Sequence, residues 1–60
     1  MNTFVCWTNN NRKIVVRGVL FSFEAEKKAA KHLTRQEKIT STTIATRPPT
    51  IGPLDVDIGD

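Results

Sequence analysis

SFEAEKKAAKHLTRQEK, residues 22–38, is the stretch whose reading decides the fold. At about 100° per residue, Ala25, Ala29, Leu33, Ala30 and Phe23 fall within one half of a helical wheel, while Lys27, Lys38, Lys31, Arg35 and Lys28 crowd the opposite third. The spacing predicts an amphipathic helix over Ser22–Lys38, with one face packed and a basic back. Ser22 is placed to cap it, because a serine hydroxyl can accept from the unpaired amides of the first turn. Glu24 and Glu26 near the start, with Lys31, Arg35 and Lys38 later, suit the helix dipole at both ends. The alanines offer little apolar area but allow close approach to a sheet. Phe23 and Leu33 are therefore the expected anchors.

Upstream, TFVCWT (residues 3–8) is rich in β-branched and aromatic residues and reads as a strand. Asn9, Asn10 and Asn11 follow, and asparagine tolerates the left-handed backbone that tight turns need, so a hairpin is expected. KIVVRGV (residues 13–19) is the returning strand, with Gly18 marking a bulge or its end. Side chains alternate between faces along a strand. That alternation puts Phe4, Cys6, Ile14 and Val16 under the helix and leaves Val5, Trp7, Lys13 and Arg17 on the outer face. Downstream, Ile39–Thr46 is dense in β-branched residues and reads as a third strand at a sheet edge. Pro48 and Pro49 end it.

The expected fold is thus α+β: a small β-β-α-β domain over residues 1–47, a three-stranded antiparallel sheet with one amphipathic helix across one face. Residues 48–60 are expected to form an acidic tail containing proline and glycine. Within it Leu54, Val56 and Ile58 alternate with Asp55 and Asp57 in a strand-like pattern, suited to adding to a sheet edge of this domain or of another protein. Deletion after Pro49 should, on this reading, leave the fold intact.

The chain carries nine Lys and Arg against six Asp and Glu, a net charge of +3. All nine cations lie between Arg12 and Arg47 with only Glu24, Glu26 and Glu37 among them, whereas residues 48–60 hold Asp55, Asp57 and Asp60 and no cation. A basic body therefore carries an acidic end. Five Val, five Ile, three Leu and three Phe in sixty residues suffice for one layer packed on another but not for a deep pocket. A lone cysteine, the absence of a signal-peptide pattern and the lack of any long apolar run lead to the expectation of a cytoplasmic protein outside the membrane.

Catalytic chemistry has little to draw on. One Cys and one His, twenty-six residues apart, provide no zinc spacing. Gly18, Gly52 and Gly59 are too scattered for a phosphate-cradling loop. Glu24 and Glu26 diverge on a helix, so they make no acid/base pair. No metal, cofactor or catalytic residue is expected, and the chain reads as a non-enzymatic binding module.

Nucleic acid, or a complex that handles it, is the expected partner. Lys27, Lys31 and Arg35 recur at four-residue intervals with Lys28 beside them, and such like-charge spacing carries a small cost that phosphates would offset. Lys13 and Arg17 flank Trp7 as a second basic surface. The alternative is a protein-interaction module or inhibitor, docking by Trp7 and Val5 or by strand addition of Leu54, Val56 and Ile58. In either case a homodimer would cover exposed strand edges.

Overall fold

The computed structural model describes residues 1–59. Strands β1 (Asn2–Thr8) and β2 (Lys13–Val19) form the expected antiparallel hairpin, with Phe4 opposite Val16 and Cys6 opposite Ile14. The Thr8 amide donates to the Arg12 carbonyl at 3.0 Å and the Asn11 amide to the Thr8 carbonyl at 3.1 Å, closing a three-residue Asn loop. Asn11 turns the chain at a φ of 59°, in the left-handed region. Asn11→Val is expected to lower stability in urea unfolding by ~1–2 kcal/mol, and Asn11→Gly to leave it level or slightly raised.

Gly18, at a φ of 75°, sits in a bulge: four residues of β2, Val16 to Val19, lie opposite three of β1, Phe4 to Asn2. The extra residue has a packing consequence. Without it Val19 would point to the opposite face from Val16; with it both enter the same core.

Helix α1 spans Ser22–Ala30 and is shorter than the pattern predicts. Phe21, with extended backbone, is the N-cap in place of Ser22, and the Glu24 carboxylate accepts from the Phe21 amide at 3.3 Å. At the other end His32 and Leu33 donate to the carbonyls three residues back, Ala29 at 2.9 Å and Ala30 at 3.3 Å. These tight closing bonds stop the helix. Residues 31–38 then descend through two turns to strand β3, Ile39–Ile44. Lys31 is the C-cap, while Arg35 and Lys38 lie beyond the helix altogether.

A fourth strand, β4 (Val56–Ile58), corrects the expected three-stranded antiparallel sheet. It pairs in parallel with β2, Ile14 opposite Val56 and Val16 opposite Ile58, giving a mixed sheet of order β3-β1-β2-β4. Part of the C-terminal segment thus forms an edge of the sheet. Asp60 lies outside the described residues.

One core lies between helix and sheet, made of Phe4, Cys6, Ile14, Val16, Val19, Ala25 and Ala29, with Leu33, Ile39, Val56 and Ile58 packed around them. The sheet face predicted to lie under the helix is the one that does. Ala25 and Ala29 are fully buried, their small side chains letting the helix backbone sit close to the strands. Val5 and Val15 are also buried, at 7% and 0% exposure, yet face away from that core. Because β3 and β4 occupy opposite edges, the connection 45–55 passes over a sheet face, and the Lys13 ammonium donates to the Thr50 carbonyl there. The connection covers the outer face as the helix covers the inner. Among the described residues no helix is long and apolar enough to cross a membrane.

Candidate functional site

The placement of acids decides which cations remain free for a partner. Glu37, only 5% exposed, accepts from Arg12 Nη2 at 2.7 Å, Arg12 Nε at 3.0 Å, the Thr8 hydroxyl at 2.6 Å and the Thr34 amide at 3.0 Å. The Arg12 guanidinium, then the Thr8 hydroxyl and Thr34 amide, hold its carboxyl down to about 2. Arg12 Nη2 also donates to the His32 carbonyl at 2.9 Å, so one ion pair joins the hairpin loop to the segment after the helix. Glu37 therefore does not screen the basic row, and Glu24 is engaged at the helix N-terminus.

On the outer sheet face the aspartates claim the cations. Asp57 pairs with Arg17 at 2.9 Å, and Asp55 lies 3.5 Å from the Lys13 ammonium. The Lys13 and Gly52 amides donate to Asp55 at 3.0 Å and 2.7 Å and hold its carboxyl below the ordinary aspartate range. Lys13 also stands over the Trp7 ring, 5.6 Å from its centre. Of the partner-facing residues read from the sequence, Val5 is buried and Val56 and Ile58 pack against the core. Trp7 and Leu54 keep 41% and 75% of their surface exposed. Strand addition by the C-terminal segment takes place, but on the domain's own β2.

The helix surface contrasts with this. Lys27, Lys28 and Lys31 are exposed and make no ion pair among the described residues. With Leu20, Phe21, Phe23 and Glu24 they line an open groove of about 640 Å³. Phe23, expected as a core anchor, is 66% exposed, and Phe21 is 57% exposed. Their rings stack with centres 5.7 Å apart and planes 7° from parallel. Arg35 is exposed but sits in the turn after the helix, outside the groove. The structure thus brings together three of the four predicted helix cations and adds an apolar wall.

Leu20, Phe21 and Phe23 are the members that the wheel missed. A signal was present: Phe23 stands four residues before Lys27 and eight before Lys31, heading the same helix row. Relative to Ala25, the centre of burial, it is displaced by about 160° around the axis. Phe23 therefore lies at the far margin of the apolar arc.

Elsewhere the chemistry is sparse. Cys6 is a free, buried cysteine, and burial pushes its thiol up from the ordinary value, with Thr42 and Glu26 beside it. His32 is exposed. Among the described residues no group of three or more His, Cys, Asp and Glu is placed to hold a metal ion. No protein family, curated protein or solved structure matches the chain.

Proposed function

We propose that this chain is a non-enzymatic binding module that takes nucleic acid on the surface of α1. The observation that carries this reading is the set of exposed cations Lys27, Lys28 and Lys31 on one helix wall, without an ion pair among the described residues, when Arg12, Lys13 and Arg17 are matched by Glu37, Asp55 and Asp57. The fold's own acids neutralise Arg12, Lys13 and Arg17, whereas Lys27, Lys28 and Lys31 stand together on one element with no acid paired to them among the described residues. Three like charges at three- and four-residue spacing repel one another, and a row of phosphates relieves that repulsion while releasing condensed counterions.

Counterion release makes the reading measurable. Wild-type binding to a labelled oligonucleotide is expected to weaken steeply as salt rises. Lys27→Ser, Lys28→Ser and Lys31→Ser together are expected to flatten the slope of log K against log salt by roughly 3, about one for each cation removed. Lys13→Ser, whose cation faces Asp55, serves as the matched control with a smaller change. An unaltered slope in the triple variant would remove the helix wall as the site.

A further inference from the structure

We infer that the groove on α1 selects single-stranded nucleic acid, holding an unpaired base against the Phe21–Phe23 stack while Lys27, Lys28 and Lys31 take the flanking phosphates. This deepens the functional reading above and rests on it. Phosphate attraction alone gives no reason for two phenyl rings to stand more than half exposed beside the cations. The rings stack nearly parallel with centres 5.7 Å apart, so a further flat ring can continue the stack on an outer face of the pair. A nucleobase matches such a stack because every base has a π-face and stacks without regard to sequence. In a duplex those faces are covered by neighbouring pairs, so only an unpaired base can use the platform.

Dimensions and charge favour the same occupant. The groove is open, about 640 Å³ and lined by both aromatic residues and lysines, so a nucleotide unit has room to lie along it. Phe21 and Phe23 are fixed by the helix start: Phe21 is the N-cap, its amide held by Glu24, and Phe23 is the second helical residue. The platform is therefore carried on a rigid element with the cations one and two turns further along it. An anionic bilayer would also welcome aromatic residues and lysines. However, α1 has nine residues, and its apolar contribution on this side is limited to Phe23 with Phe21 and Leu20 just before it. That is a small anchor for insertion and a sufficient one for a base.

The test compares labelled oligo-dT with the matching dA·dT duplex of equal length by fluorescence anisotropy, using the full chain. Oligo-dT is expected to bind more tightly than the duplex. Phe23→Ala should weaken the single strand by ~5- to 150-fold and leave duplex binding within about twofold. Phe23→Leu keeps apolar bulk but removes the flat face, and should lose most of the same affinity. The Phe23 side chain is exposed, and a thermal melt checks that both variants stay folded. Equal affinity for strand and duplex, with no effect of either Phe23 variant, overturns the single-strand inference while salt-sensitive binding would keep the wider reading. Absence of salt-sensitive binding to either probe overturns both. So does Phe23-dependent association with phosphatidylglycerol vesicles in place of oligo-dT, which would assign the groove to a membrane surface.

Discussion

Replacing Glu37 by Ala is expected to lower the melting temperature by roughly 10–20 °C, a large effect for a single side chain in a chain this small. The residue is almost fully enclosed, and its two oxygens accept from Arg12, Thr8 and Thr34. Its removal leaves a partly buried guanidinium and a buried hydroxyl without their acceptor, which costs far more than the intact pair adds over an apolar pair. Glu37→Gln keeps an acceptor for Thr8 and Thr34 but loses the ionic bond to Arg12, and should fall between. The pH dependence follows from the same bonds. Glu37 is held at about 2 against an ordinary 4.5, so its stabilisation is fully present above about 4.5 and is lost as pH falls towards about 2. Asp55 acts in the same direction, its carboxyl also lying below the ordinary 3.8. Thermal melts across this range should show a steep acid loss in the wild type and a shallower one in Glu37→Ala. A melting temperature unchanged by Glu37→Ala would show that the buried pair does not tie the hairpin loop to the descent from the helix.

The same carboxylate explains why the helix is shorter than its periodicity. Thr34-Arg35-Gln36-Glu37 closes a turn of its own: the Thr34 amide donates to Glu37 Oε1 at 3.0 Å and the Glu37 amide to the Thr34 carbonyl at 3.1 Å. That local turn competes with a continued helix, and burying Glu37 against Arg12 fixes the outcome. The helix stop was not legible because the partner that fixes it is not local: Arg12 is twenty-five residues from Glu37 and is brought near only by the hairpin. Features set by neighbours in the chain, such as the Asn loop, the Gly18 bulge and the face alternation of β1 and β2, could be read directly. The fourth strand could not. The alternation of Leu54, Val56 and Ile58 gave its pattern, whereas the choice of β2 as its neighbour depends on Ile14 and Val16 needing cover at an open sheet edge.

A similar division applies to the candidate site. Lys27, Lys28 and Lys31 were legible from helical spacing, since a charge row requires nothing but regular geometry. The exposure of Phe23 was not, because a phenyl ring at the margin of an apolar arc can turn either way. The sheet decides, since Ala25 and Ala29 let the helix lie so close that the packed face narrows to small residues. Lys13 and Arg17 changed meaning for the opposite reason. Their partners Asp55 and Asp57 are forty-two and forty residues away, and the pairs form only because β4 adds beside β2. Local periodicity identifies which surfaces are basic; tertiary pairing determines which of them stay basic.

Truncation after Pro49 is accordingly expected to abolish cooperative folding, against the expectation drawn from composition alone. The deletion removes β4 and most of the connection over the outer face. It uncovers Val15, now fully buried, together with Val5 on that face, and takes away Val56 and Ile58 from the edge of the main core. Full burial of one such aliphatic side chain is worth ~1.5–3 kcal/mol, so several partial losses together approach or exceed the ~3–5 kcal/mol that a core of this size supplies. Lys13 and Arg17 would lose Asp55 and Asp57 as well, leaving repulsion between neighbouring cations on β2. Circular dichroism of the truncated chain should show no sigmoidal thermal transition, whereas Leu54→Ser, at a side chain 75% exposed in the same segment, should melt close to the wild type. If the truncated chain instead melted cooperatively within a few degrees of the full one, residues 50–58 would be a peripheral addition. The outer face of the hairpin would then be stable without cover, and Lys13, Arg17 and Trp7 would return as a second open surface.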